Sequence, residues 1–238
     1  MKKQPCTGYT DAVPVPRSYD DPCGIARALD VIGDRWALLV VRELLFGPRR
    51  FAQLRAGLPG ISPNVLAQRL RELTDTGVLD HGRLDPPASV PVYQLTSCGR
   101  ALEPVLLELG RWGSQQPMTP GSHELSAAAL LVALRTLFDP AEAVHGTFAL
   151  RLEGEWYQVT VTGPSISIAR SGSGSGAGAG SGSGPPPLAS LEADTATLRS
   201  VAFGRERPAK AEQAGRLKIT GDRRAAEAFP RMFARQPR

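Results

Sequence analysis

Residues Gly60–Leu73 read GISPNVLAQRLREL, and this stretch decides the fold of the first half of the chain. Ser62 is a good N-cap, because its hydroxyl oxygen can accept a backbone N–H left without a partner at a helix start. Pro63 suits the first helical position, where an N–H would go unused. The helix is expected to run to Thr76, with Gly77 as its C-cap. Leu66, Leu70 and Leu73 follow i, i+4, i+7 spacing and share one face. Asn64, Gln68 and Arg71 repeat with the same spacing on the opposite face. Folding needs only the leucines, so the polar face has to be explained by what it touches.

Upstream, Phe51–Ala56 reads as a short helix and GLPGI as the turn that follows. Helix, tight turn and second amphipathic helix make the helix-turn-helix pattern. Earlier still, Ile25–Ile32 is an expected helix ended by Gly33. Another starts near Arg35, runs through WALLVVRELL and stops at Gly47-Pro48. It is apolar almost all round and belongs at the centre of the core. Downstream, Val78–Arg83 and Val90–Leu95 are expected strands around a proline-rich tip, a hairpin in the position of a wing. Thr96 then caps one long helix, SCGRALEPVLLELGRWG, striped by Leu102, Val105, Leu106, Leu109 and Trp112. The stripe either packs on its own core or pairs with a symmetry mate.

The polar face of the Pro63 helix has the chemistry of major-groove reading. Asn and Gln can bond adenine in bidentate fashion, and Arg can do so with guanine. Ser62 and the helix N-terminus can hold a phosphate. The plainer alternative is a solvated helix face. From Arg49 to Arg83 there are six arginines (49, 50, 55, 69, 71, 83) against three acids (Glu72, Asp75, Asp80). The 238-residue chain carries a net charge of +5, which permits nucleic-acid binding without requiring it.

Three segments together resemble the HxlR-type winged-helix transcriptional regulators: YDDPCGIARALDVIGDRWALLVVREL, then F-x-x-L-x-x-x-L-P-G-I-S-x-x-V-L-x-x-R-L-R-E-L, then VYQLTSCGRALEPVLLELGRWG. The likeness spans Tyr19 to Gly113. It implies a homodimer bound to an inverted repeat of double-stranded DNA, with the Ser62–Thr76 helix in the major groove. Ser62, Asn64, Gln68 and Arg69 fall where such proteins contact DNA; Pro63, Arg71 and Arg83 complete the candidate set. One departure is Pro91, which stands where similar proteins often carry a basic residue, leaving Arg83 as the nearest substitute.

Cys23 precedes the first helix in DDPCGIA. Some members of the resembled family use a cysteine here to sense oxidants or electrophiles. A helix N-terminus stabilises a thiolate, whereas Asp20 and Asp21 oppose it. The other reading is a small residue buried at a dimer contact. The three cysteines show no CxxC pair and no His partner at metal spacing, so reduced thiols, no metal and no cofactor are expected.

The second half has a different pattern. Leu125–Phe138 reads as a helix, TFALRLEG and EWYQVTVTG as strands joined at Gly154, and SISIA, LASLEA and GRLKITG as three more. Helices are expected at Thr195–Phe203 and Asp222–Phe233. The run SGSGSGAGAGSGSGPPP (171–187) cannot bury enough apolar surface to order itself. It reads as a disordered loop between two strands, the alternative being a linker between domains. No catalytic set emerges; His123 and His145 lie far from any nucleophile pattern.

This half resembles the sterol carrier protein domain, through EWYQVTVTG, LEADTATLRSVAFGR and AGRLKITGDRRAAEAFPRMF. The resemblance implies an apolar small-molecule ligand held between sheet and helices. Pocket candidates are Leu134, Phe138, Trp156, Phe203, Phe229 and Phe233, each equally readable as plain core.

The expected organisation is α+β. It comprises a flexible arm (1–18), a winged helix-turn-helix domain (19–116), a linker (117–122) and a sterol-carrier-like domain (123–238). No transmembrane run exists and the start, MKKQPCTGYTDAVPVP, lacks the apolar core of a signal peptide, so a cytoplasmic location without membrane contact is expected. The expected function is DNA-binding regulation, not enzymatic, modulated by the apolar ligand. The alternative is a lipid carrier whose winged helix is a protein-interaction module.

Overall fold

The structure is a computed structural model that describes residues 18–83, 90–117, 124–171 and 186–233. The wing tip and nearly all of the expected arm, linker and glycine-serine insert lie outside the described residues. Two compact units divide the chain, residues 1–106 and 107–238.

The first unit runs α1 (Gly24–Ile32), α2 (Ala37–Leu44), α3 (Phe51–Gly57), α4 (Pro63–Asp75), β1 (Leu79–Arg83), β2 (Pro91–Leu95) and α5 (Ser97–Arg100). The division between units falls inside the next helix, α6 (Glu103–Gly113), ahead of residues 117–122. α2 is central: Ala37, Val40, Val41 and Leu44 are buried together with Leu54 of α3 and Leu66, Leu70 and Leu73 of α4. Each fully buried leucine contributes about 1.5–3 kcal/mol relative to an exposed one.

Two differences from expectation have a clear physical cause. α2 begins after Trp36 rather than near Arg35, because Trp36 turns the corner from α1 with φ 81° while its ring packs on the core. The single long helix after Thr96 is two helices. Pro104 has no N–H to donate to Arg100, so it fits only the first turn of a new helix, α6. Thr96 caps α5 by accepting from Gly99 N at 3.1 Å, and its hydroxyl donates to Gly77 O at 2.7 Å. That ties the end of α4 to the end of the wing.

The second unit contains α7 (Ala127–Thr136), β3 (Gly146–Leu152), β4 (Glu155–Thr162), β5 (Ser165–Arg170), β6 (Ala189–Ala193), α8 (Thr195–Ala202), α9 (Pro208–Gln213), β7 (Leu217–Gly221) and α10 (Arg223–Ala228). A 3-10 turn, Phe229–Met232, follows. The sheet order is β5-β4-β3-β6-β7, with β6 parallel to β3 and the other neighbours antiparallel. Glu153 (φ 51°) and Gly154 (φ 81°) make the tight β3–β4 turn, whose positive φ values match the strand twist. Phe148, Leu150, Tyr157, Val159, Val161 and Leu191 bury one face of the sheet. α9 was not foreseen: six residues, PAKAEQ, are too few to show a helical period. The whole is an α+β protein.

Candidate nucleic-acid interface

α4 starts as its sequence demands. Ser62 Oγ accepts from Val65 N at 3.3 Å, and Pro63 opens the helix. The buried leucines turn the opposite face outward: Ser62, Pro63, Asn64, Gln68 and Arg71 are all exposed. Val65 is exposed beside them, an apolar group that the polar spacing did not single out. Gln68 Nε2 donates to Glu72 Oε1 at 2.9 Å.

Arg69 stands apart from this set. Its side chain is only 12% exposed and pairs with Asp34, in the turn between α1 and α2, and with Glu72 at 2.6 Å. Helical spacing explains the difference: Arg69 follows Gln68 by about 100°, toward the flank that packs on the α1–α2 turn. The Glu72 contacts were open to sequence reasoning as i+3 and i+4 neighbours of Arg69 and Gln68; the Asp34 contact was not.

In the wing, Arg83 is exposed and directly opposite Pro91 in the strand register. It thus occupies the same level of the hairpin as the position where the proline stands. His81 and Tyr93 stack across the hairpin with ring centres 4.8 Å apart.

Elsewhere in this part of the chain, apolar side chains reach solvent at helical spacing. On α1, Ile25 and Leu29 are exposed. On α6, Val105, Leu109 and Trp112 are exposed, whereas Leu106 is buried and Leu102 packs partly on the core. The predicted stripe is therefore two faces.

Cys23 is exposed at the N-cap of α1. The backbone N–H groups at Ile25 and Ala26, at the start of α1, pull its thiol pKa below the usual value, although the side chain makes no capping hydrogen bond. Asp21 bonds the Cys23 backbone N–H at 2.8 Å. Cys23 is exposed in the single chain, the state from which either reading, sensor or dimer contact, starts.

In the second unit the pocket candidates separate. Leu134, Phe203, Phe229 and Phe233 are all buried. Phe229 contacts Phe148 and Phe233 with ring centres 5.1 Å apart in each pair, and Phe138 bridges to Phe233. Trp156 does not join them. Strand alternation puts it on the opposite sheet face from Tyr157, where the Arg151 guanidinium lies 5.8 Å from its ring. A surface cavity of about 460 Å³ is lined by Arg151, Glu153, Glu192, Arg216 and Lys218, so it is charged rather than apolar. It is not the ligand site expected from the sequence.

Together, a buried-leucine helix with an exposed polar face, a preceding short helix and a following two-stranded wing define a winged-helix DNA-binding regulator. The chain belongs to the HxlR-like helix-turn-helix family, which matches residues 31–120. Residues 140–234 match the SCP-2 sterol transfer family. The HTH-type transcriptional regulator YvaP of Bacillus subtilis is 39% identical over 90 residues, covering 37% of this chain and 82% of YvaP. YodB of the same organism is 34% identical over 88 residues, covering 37% of this chain and 79% of YodB. The structure of quinone-bound YodB aligns with a TM-score of 0.33 at 34% identity, covering 39% of this chain and 97% of that one. The Mycobacterium tuberculosis regulator Rv3095 is 40% identical over 91 residues, but the chain spans only 57% of its length. Among the described residues no helix is long and apolar enough to cross a membrane.

Proposed function

We propose that the protein is a cytoplasmic, non-enzymatic transcriptional regulator that binds an inverted repeat as a homodimer and responds to an apolar small molecule. The observation that carries the reading is the outer face of α4, where Asn64, Gln68 and Arg71 are exposed at one helical spacing over a buried leucine face. Ser62, Pro63 and Arg83 are the supporting backbone contacts. Arg69 acts here as a positioning residue. The exposed apolar faces of α1 and α6 support pairing with a second copy, since such faces mark interaction sites. Two copies would read half-sites about one helical turn, ~34 Å, apart.

The match to the sterol transfer family supports the ligand. Phe229 packs on Phe148 and Phe233 in that half, and a ligand can switch DNA binding only by preferring one arrangement of the dimer. Cys23, exposed and with its thiol pulled down, is the second candidate sensor. The same family match favours a second reading, a lipid carrier whose winged helix binds protein.

The test is selection of bound fragments from random duplex DNA, repeated with a lipid extract present. An enriched inverted repeat, lost or strengthened with extract, is the expected result. No enrichment at low salt would leave the carrier reading ahead.

A further inference from the structure

Glu72 contacts two side chains of its own helix, and the contacts constrain what Gln68 can read. Gln68 Nε2 donates to Glu72 Oε1 at 2.9 Å. The other carboxylate oxygen lies 2.6 Å from Arg69 Nη1. Arg69 is in turn paired with Asp34, and its side chain is 12% exposed. The run Asp34–Arg69–Glu72–Gln68 therefore leads from the turn between α1 and α2 to the exposed face of α4. The Arg69 contact is an ion pair without hydrogen-bond geometry, and Glu72 gives it up if it swings into solvent.

An ionised carboxylate only accepts hydrogen bonds. It takes the amide nitrogen of Gln68 and repels the amide oxygen, so the amide has one orientation. Gln68 then presents its Oε1 acceptor and the second Nε2 hydrogen outward. That pair matches adenine, which offers the N6 amino donor and the N7 acceptor in the major groove. Guanine offers O6 and N7, both acceptors, and would set Gln68 Oε1 against O6. Without Glu72 both Nε2 hydrogens are free, so the amide could turn its amino group into the groove and donate to guanine O6 or N7 as well.

We propose that Glu72 is a specificity-determining residue: it fixes the Gln68 amide so that α4 selects adenine over guanine at one position of each half-site. This rests on α4 being the base-reading helix. Glu72 acts through Gln68 and is a positioning residue. Its removal changes a base preference, whereas a merely structural role would weaken binding to all sites alike.

The experiment selects binding sites with the full-length wild type, Gln68→Ala, Glu72→Gln and Glu72→Asp, then measures competition between duplexes that differ at one base pair. Gln68→Ala locates the position by flattening its preference. Glu72→Gln can accept or donate, and Glu72→Asp keeps the charge but is too short to reach. Both are expected to reduce the adenine-over-guanine ratio at that position by about tenfold, within the range set by one bidentate pair, and to leave other positions unchanged. Glu72→Asp keeps the test open if Glu72→Gln folds poorly. A wild-type ratio retained in both Glu72 variants, at a position that Gln68→Ala does flatten, overturns the proposal while the base-reading helix stands. If Gln68→Ala flattens no position, the base-reading assignment fails and the proposal falls with it.

Discussion

Arg69 of α4 pairs with Asp34, 35 residues earlier in the chain, and so fastens α4 to the turn that joins α1 to α2. An arginine with a side chain 12% exposed and two acidic partners is poorly placed to neutralise a phosphate. Arg71, two residues on, is exposed.

The two arginines should therefore differ in salt dependence. Arg71→Ala is expected to lower the slope of log affinity against log salt by about 0.9, because a guanidinium on that face also neutralises about one phosphate charge beside the base it reads. Arg69→Met is expected to leave the slope unchanged while destabilising the fold by about 1 kcal/mol, since its acidic partners are half exposed. DNA titrations at several salt concentrations read this directly. An equal loss of slope in both variants would return Arg69 to the phosphate-binding set.

Ser62 has a capping role that can be separated from any DNA contact. Ser62→Ala should cost about 1 kcal/mol in urea unfolding, and Ser62→Gly only a few tenths. Equal stability of Ser62→Ala and wild type would show that the 3.3 Å bond to Val65 N is not stabilising.

Gly99 packs against backbone. A Cβ there would collide with the Val78 carbonyl and come within 2.9 Å of Leu95 Cδ2. Gly99→Ala should destabilise the winged helix by about 1–3 kcal/mol, because the carbonyl belongs to the fixed junction between α4 and the wing. A neutral result in denaturant unfolding would mean that α5 shifts freely.

Phe229 and Trp156 should behave as opposites. Phe229 is completely buried between Phe148 and Phe233, and Phe229→Ala is expected to cost about 3–5 kcal/mol. Trp156→Ala, on the other sheet face, should cost much less. Chemical unfolding of both variants, followed by circular dichroism, makes the comparison. A large loss at Trp156 would place it in a packed interior.

Cys23 has its thiol pKa lowered by the backbone at the start of α1. A lowered pKa means more thiolate at any given pH, so alkylation by iodoacetamide near neutral pH should outpace that of free cysteine. The advantage should fade as pH rises and free cysteine also ionises. Cys23→Ser should abolish the fast phase. A rate no faster than free cysteine would remove this residue as a sensor.

Much of the first unit was legible because its signals are local. A cap, a proline, leucines at helical spacing and a terminal glycine each act within a turn or two of chain, so α4 was read within a residue of its true ends. The second unit was legible for the same reason wherever strands alternate, as in β3 and β4. Errors arose where neither period applied. α9 is too short, and Pro104 divided a helix whose apolar stripe runs on past it. Trp156 was grouped with the phenylalanines by residue type, although strand alternation already put it on the other side from Tyr157.

The sequence by itself determined most of the element order, the polar face of α4 and the likeness of each half to a known family, since these depend on spacing along one segment. Tertiary structure alone decided what lies beside what. It set Arg69 against Asp34 rather than on the exposed polar face of α4, left Cys23 exposed, and packed Phe229 against Phe148 and Phe233. Those outcomes depend on contacts between residues tens of positions apart, and no local pattern encodes which charge will meet which or which ring will close the core.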